Sequence, residues 1–293
     1  MPSVVAICVN YYNEEQTIAF ARRLVELHSP DECHVIIASN NISGGGNDAL
    51  AEAFAGQSQV TVMHWGKNLG FYGAAAQAFK EYRRINEQPD WVIVSNTDLL
   101  VEEGPFTKLL IRYADNPRIG VIAPSVTSTV TGVDQNPFME RRPTAFRMHL
   151  IKWMFKTGPT WALWAAASRL KRLLRQGRKS GTAKVSHPCA DADARTIYAP
   201  HGSFIAFSRE YFARGGSLDH VPFLYGEELM VAETTRRLQL DILYDPRFRI
   251  MHVEHSTTGK SASARLHQAA AASYCADTYF PLMNGHTKGT AHE

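Results

Sequence analysis

The chain has 293 residues, 45% hydrophobic and 20% charged, the composition of a globular protein of one large or two small domains, which excludes disorder over its whole length. Its four cysteines, Cys8, Cys33, Cys189 and Cys275, are far apart and form no C-x-x-C pair, so neither a zinc knuckle nor a disulfide framework is expected. The formal charge of +3 conceals an asymmetry: residues 141–190 hold twelve Lys or Arg and no Asp or Glu, and the rest has 19 basic and 28 acidic residues, a balance of −9 that would repel a nucleic-acid duplex.

VVAICVN at 4–10 is a short apolar run with β-branched residues and predicts a buried first strand. The opening, MPSVVAICVNYYNEE, lacks the basic region of a signal peptide. Glu14, Glu15 and Thr17 then open a helical pattern through Ile18, Ala21 and Leu24. VIIA at 35–38 is a second strand, followed by a glycine-rich loop and a helix over 49–55. A third strand at 60–64, a turn at Asn68-Leu69-Gly70, an alanine-rich helix over 72–82 and the strand WVIVS at 91–95 complete the order β-α-β-α-β-α-β. Buried strands alternating with helices predict an α/β fold, with a mostly parallel central sheet covered on both faces. Further on come a helix over 106–113, a strand at 119–123 and an irregular stretch over 124–143. After the basic segment the pattern predicts a strand at 201–208, a helix from about Glu228, short strands at 242–244 and 250–253, a helix over 266–279 and a polar tail. No 18-residue window is apolar enough to span a bilayer.

In such a sheet, ligands sit beyond the carboxyl ends of the strands. Four polar clusters fall there: Asn10 to Glu14, Ser39 to Asn41, Lys67 with Asn68, and Asn96 to Asp98. Caps and turns use the same residue types, but four strand ends together indicate a binding edge. Asp98 follows a strand of core character and can offer its oxygens to a hard divalent cation. Glu227 and Glu228 are either favourable charges at a helix start or a general base with its neighbour. His252 and His255 match neither an H-E-x-x-H helix nor a finger, and one imidazole could ligate the cation. The P-loop, the G-x-G-x-x-G turn and the hydrolase elbow G-x-S-x-G are all absent.

Taken together, VNYYNEEQT at 9–17, VIIASNNISGG at 35–45, NLGFYGAAAQAF at 68–79, VSNTDLLV at 94–101, HGSFIAFSR at 201–209, PFLYGEELMV at 222–231 and HVEHSTTGKS at 252–261 resemble the inverting glycosyltransferases of the GT-A fold, family 2, especially the bacterial rhamnosyltransferase-like branch. The resemblance implies a nucleoside diphosphate sugar as donor and Mg²⁺ or Mn²⁺ as cofactor. Val9, Asn10, Tyr11, Tyr12 and Glu14 would flank the base and ribose, with Ser39 and Asn40 at the second strand end. Asn68, Gly70 and Gly73 would line the nucleotide pocket. Asn96-Thr97-Asp98 stands where the family has its D-x-D-type signature, so Asp98 would ligate the metal. Glu228 matches the second acid of the family's E-D pair and would be the base, with Glu227 beside it. His255, with Gly259 and Ser261, would lie at the diphosphate and the metal. Ser39 stands where an aspartate is common, and Met230 and Thr234 replace the acid and arginine that often follow the E-D pair.

The implied reaction is transfer of the sugar to a hydroxyl with inversion, in cell-envelope or polysaccharide synthesis, on a glycan or lipid-linked acceptor. Two alternatives were weighed: nucleotidyl transfer to a sugar phosphate, which would want a basic activation loop where Glu14-Glu15 stand, and a non-catalytic nucleotide-sugar-binding module. The chain divides into a nucleotide-sugar half at 1–130, a basic amphipathic insertion at 131–200, an acceptor and catalytic half at 201–265, and a C-terminal helix and tail at 266–293. Phe146, Leu150, Met154 and Trp153 fall near one helical face, and Leu163, Ala166, Leu170, Leu173 and Leu174 repeat the pattern among arginines and lysines. This composition predicts contact of residues 141–180 with an anionic membrane, or else a lid or a homo-oligomer contact. The expected location is the cytoplasm, with peripheral contact to the inner face of the cell membrane.

Overall fold

The computed structural model describes residues 3–42, 47–101, 104, 106–162, 166, 193–253 and 262–282. The expected contacts of His255, Gly259 and Ser261, and the stripe from Leu163 to Leu174 apart from Ala166, lie outside them.

The first half follows the predicted alternation. It runs β1 (Val4–Asn10), α1 (Glu14–Leu27), β2 (Cys33–Ser39), α2 (Asn47–Ala53), β3 (Val60–His64), α3 (Phe71–Arg83) and β4 (Trp91–Ser95). The second half holds β5 (Leu99–Val101), α4 (Thr107–Ile111), β6 (Ile119–Ser128), α5 (Ala145–Lys156), β7 (Arg195–Ile197), β8 (Phe204–Ser208), α6 (Arg209–Ala213), α7 (Glu227–Arg237), β9 (Asp241–His252) and α8 (Ala262–Tyr279).

One sheet runs through both halves, in the order β3-β2-β1-β4-β8-β6-β9-β5, with β7 also paired to β9. Strands β3, β2, β1 and β4 are parallel. The second half is mixed: β8 is antiparallel to both β4 and β6, β6 and β9 are parallel, and β5 and β7 run antiparallel to β9. The parallel sheet expected from the alternation thus describes β3, β2, β1 and β4, where every connection is a helix crossover.

Side chains alternate across each buried strand and so fill two cores. Val5, Ile7 and Val9 join α3, α7 and α8 on one face, while Val4, Ala6 and Cys8 join α1, α2 and α4 on the other. The layers are helix, sheet, helix.

The largest local departure from the sequence reading is β9. Two short strands were expected, and the structure has one strand of 12 residues. Its pairing with β6 jumps from Pro124–Asp245 to Ser125–Arg249, a bulge that accommodates Pro246. Buried Asp245 holds the bulge by accepting from the Arg247 backbone and guanidinium and from the Tyr113 hydroxyl. The continuous strand carries His252 to the same edge as Asp98.

Candidate active site

Parallel register brings Asn10 level with Ser39, so the ends of β1 and β2 open on one edge. Asn10 and Ser39 are fully buried, and Asn40 nearly so. Asn10 Oδ1 accepts from Thr17 Oγ1 and from the Asn13 amide, and its Nδ2 donates to Asn41 Oδ1 at 3.3 Å. Asn41 also accepts from the Tyr12 amide and donates to Glu14 Oε1 at 2.7 Å. This frame presents Tyr11 and Tyr12 outward, with ring centroids 4.9 Å apart and Tyr12 held at φ +49°. Both rings are about half exposed. Asn41, which the sequence placed in the second polar cluster without a role of its own, joins β1, Tyr12 and Glu14 in this network.

Asn40 works on the neighbouring turn. Its Oδ1 accepts from the Leu69 amide at 3.0 Å and its Nδ2 donates to Gly70 O at 2.9 Å. Asn68 Oδ1 accepts from the Gly70 amide. Gly70 has φ +76°, and a Cβ built there would stand 2.1 Å from Phe223 O, so only glycine fits. The donor-side turn therefore touches the loop that leads into α7. Gly70→Ala is expected to cost about 2 kcal/mol or more, from left-handed backbone strain plus the collision. A thermal melt checks it, and an unchanged midpoint would contradict the close contact. Gly73 meets only ordinary contact, with Leu69 Cβ at 3.4 Å.

Asn96, Thr97 and Asp98 link β4 to β5, and the Asn96 amide donates to Ser203 O at 2.8 Å. Asp98 Oδ2 lies 3.3 Å from His252 Nε2. Asp98 Oδ1 is buried and finds no hydrogen-bond partner among the described residues. His252 Nδ1 meets Gln135 Oε1 at 2.8 Å. With that amide oxygen as acceptor, Nδ1 carries the proton and Nε2 turns toward a carboxylate oxygen. Nε2 and the carboxylate then face each other as two acceptors, an arrangement that a cation held by both would satisfy. His201 packs edge-on against His252 at 5.9 Å. Burial first, and His252 second, lower the His201 pKa to about 4, so this ring is neutral near pH 7.

Asp98 Oδ1 and His252 Nε2 are donors that a divalent cation could take, while no group of three or more His, Cys, Asp or Glu among the described residues could hold a metal by itself. Oxygens of a diphosphate would complete such a shell. The residue pattern left His252 and His255 both open as the ligating imidazole, and the resemblance pointed to His255. The signal of His252 was present as the first histidine of H-V-E-H, but the pairing with Asp98 needs the β5–β9 register, which sets Leu99 against His252.

Glu227 and Glu228 form the first turn of α7, preceded by Tyr225 at φ +69° and Gly226 at φ +84°. Two successive left-handed residues turn the chain sharply, and Gly226 leaves room for Cys275, whose Sγ would be 2.8 Å from an added Cβ. The carboxylates are crowded by protein on most sides yet keep an opening to solvent. Burial raises both pKa values, and that of Glu228 reaches about 8, with the charge of Glu227 as the second cause. The Gly202 amide opposes this by donating to Glu228. A Cβ on Gly202 would stand 3.1 Å from Glu228 Oε1 and 3.2 Å from Glu227 Cγ. The Tyr72 hydroxyl is also buried without a partner among the described residues, and it feels the charge of both acids.

The turn at His201 and Gly202 thus spans the site. His201 packs edge-on against His252 of the Asp98–His252 pair, and Gly202 adjoins Glu228. Asn136 fixes this turn by accepting from the His201 amide at 2.7 Å while donating to Pro124 O at 2.8 Å. Asn136, counted with the insertion in the expected division, is therefore tied to the turn before β8. Sequence reasoning read 201–208 as one strand; its first three residues are this turn, and β8 begins at Phe204.

The chain is similar to known proteins in sequence and in fold. N-acetylglucosaminyl-diphospho-decaprenol L-rhamnosyltransferase of Mycobacterium tuberculosis, in strains CDC 1551 / Oshkosh and ATCC 25618 / H37Rv, is 23% identical over 263 residues, covering 86% of this chain and 75% of the relative. The fold is similar to the crystal structure of GalNAc-T7 with UDP, GalNAc and Mn²⁺, at TM-score 0.57, 13% identity and 92% coverage of this chain. The chain spans about half, 47%, of that protein. It is also similar to the mannosyltransferase PcManGT from Pyrobaculum calidifontis in complex with GDP-Man and Mn²⁺, at TM-score 0.51 and 13% identity, covering 94% of this chain and 70% of the other. These neighbours identify the architecture as the GT-A fold. The model of glycosyl transferase family 2 matches residues 6–175, more than half of the sequence, and by that match the chain belongs to glycosyl transferase family 2.

Proposed function

We propose that the protein transfers a sugar from a nucleoside diphosphate sugar to an acceptor hydroxyl, with inversion, and that Glu228 is the general base. The observation that carries this is the two-residue turn His201-Gly202, which adjoins the Asp98–His252 pair at one end and Glu228 at the other. A donor held by its diphosphate beside Asp98 would then present its anomeric carbon toward the carboxylate pair.

Tyr11 and Tyr12 offer exposed aromatic faces for the base, on the frame built by Asn10, Asn41 and Glu14. Asn68 and the turn through Gly70 and Gly73 line the same edge, with Ser39 and Asn40 holding it from beneath. Asp98 and His252 would hold the divalent cation, Mg²⁺ or Mn²⁺, with His255 as a further ligand. When bound, such a cation offsets negative charge on the leaving diphosphate. The acceptor hydroxyl loses its proton to Glu228 as its oxygen attacks the anomeric carbon from the side opposite the diphosphate. The Gly202 amide orients the carboxylate and favours its charged form. Glu227 lies beside it, with its Oε1 also toward Gly202, and would contact the acceptor. One displacement inverts the centre, so no covalent nucleophile is needed.

The acceptor class is read from the rhamnosyltransferase relatives, whose name carries a diphospho-decaprenol: a lipid-linked glycan. The test is a donor panel assayed for nucleoside diphosphate release with Mg²⁺ or Mn²⁺. Calorimetry of the released nucleotide on Asp98→Ala isolates the metal site. Wild type is expected to bind at least tenfold tighter with Mn²⁺ than without, and the variant to lose that difference. Metal dependence that survives the substitution would move the cation away from Asp98.

A further inference from the structure

We propose that the outward face of α5 lies in the surface of an anionic lipid bilayer. The inference does not depend on glycosyl transfer, and its test is separate.

α5 is apolar on two sides. Met148 and Ile151 join the core, and Phe155 is buried on the same side. On the other side Phe146, Leu150 and Trp153 recur at i, i+4 and i+7, with exposures of 73%, 44% and 60%. A helix that is apolar all round is normally covered all round. The sequence stripe also counted Met154; it stands at the border of this face, only half-buried.

Charge chooses the cover. Residues 141–162 contain five Lys or Arg and no Asp or Glu. Two of the five pin the helix to the protein: Arg142 pairs with Glu233, and Lys152 with Asp277, both at 2.7 Å. Arg147 and Lys156 are exposed. At 100° per residue they fall on opposite flanks of the stripe. Aromatic rings between flanking cations suit the boundary between acyl chains and phosphates, where the rings bury and the cations reach lipid headgroups. A second copy docked stripe to stripe would bring these cations toward cations. A bilayer of anionic lipid complements them.

The position is fixed. His149 Nε2 meets Phe280 O at 3.0 Å, beside the Lys152–Asp277 pair, so α5 is fastened to α8 and the segment after it. α8 in turn meets the Gly226 turn through Cys275, whose Sγ lies 3.8 Å from Gly226 O. A bilayer on α5 would therefore lie one helix away from Glu227 and Glu228.

The experiment is flotation of the full chain with vesicles of phosphatidylcholine alone or mixed with phosphatidylglycerol, at low and high salt. Binding is expected only to the anionic vesicles and is expected to weaken with salt. The triple variant Phe146→Ser, Leu150→Ser, Trp153→Ser should lose about tenfold or more of the partitioning while keeping the wild-type melting midpoint. A second variant, Arg147→Glu with Lys156→Glu, should abolish the preference for anionic vesicles even if the first is poorly folded. No flotation at low salt would overturn the proposal. So would a triple variant that floats as well as wild type, which would place binding elsewhere, such as in residues 163–192. A dimer in sedimentation that the triple variant splits would assign the face to a second copy instead.

Discussion

Glu228→Gln is expected to slow transfer by about 10²- to 10⁴-fold, with donor affinity nearly unchanged. The substitution keeps shape and hydrogen bonding but cannot accept a proton, and general-base catalysis is worth about that factor, or roughly 3–5 kcal/mol of barrier. Glu227→Gln should cost less in turnover. The pH profile distinguishes a base from a merely structural acid. The free enzyme holds Glu228 protonated up to about pH 8, so kcat/KM should climb as pH rises toward that value and then level. In Glu228→Gln the residual rate should lose this limb. The same shift has an opposite signature in stability. A carboxyl whose pKa is higher in the folded chain binds its proton more tightly there, so this contribution to stability is full below about 4.5 and is lost as pH rises through about 8. Glu228→Gln should therefore melt higher than wild type at pH 8–9, by about 1–3 kcal/mol in stability, and no higher at pH 4. A variant that keeps full turnover, with Glu227→Gln inactive, would shift the assignment by one residue.

The largest loss of stability is expected at Glu233, far from the reacting atoms. Its side chain is wholly buried on α7, where it accepts from Arg142 Nε at 2.7 Å, Tyr198 OH at 2.6 Å and Arg236 Nη2 at 2.9 Å. Burial alone would raise its pKa, but the bonds from Arg142, Arg236 and Tyr198 hold it below the usual carboxylate range. Glu233→Ala leaves Arg142 and Arg236 without their shared anion. Breaking a buried pair from one side costs about 3–5 kcal/mol, and these guanidinium groups, 40% and 53% exposed, recover part of it from water. The expected loss is about 2–3 kcal/mol, or roughly 5–10 °C in melting temperature. Because the folded pKa is depressed, the gap from wild type should be full above about pH 4.5 and shrink as pH falls through the folded value. A gap that is constant from pH 3 to 8 would mean that packing, and not charge, holds this site.

The donor half was legible in the sequence because its strands are continuous apolar runs and its helices carry a separate period. Trp91 to Ser95 and Cys33 to Ser39 sit where those runs ended, and the polar residues after them do lie on one edge. What stayed hidden depends on pairing across long separations. β5 and β7 have three residues each, too few for a period, and exist because β9 pairs with them. His252 meets Asp98 across 154 positions, and Asn136 meets His201 across 65. No local pattern reports such contacts. The acid pair was visible as adjacent residues, but its crowding comes from Gly202 and Cys275, which are placed by the sheet and by α8. Burial of Asn10 and Ser39 was hidden for a related reason: polar strand ends look alike whether they face a ligand or one another.

The contact between Gly70 and Phe223 O sets the turn before α3 directly against the loop before α7, with no side chain between them on the glycine side. A displacement of the donor-side turn must therefore push on a backbone three residues before Gly226, where the chain twists into the acid pair. A nucleotide bound at this turn and an acceptor bound at the acid pair would in this way be coupled without any relay of side chains. Linkage then makes the effect mutual: the factor by which a bound nucleotide tightens the grip on an acceptor is the factor by which the acceptor tightens the grip on the nucleotide. An enzyme built so would favour taking its two substrates in a fixed order, with the donor setting the stage for the acceptor.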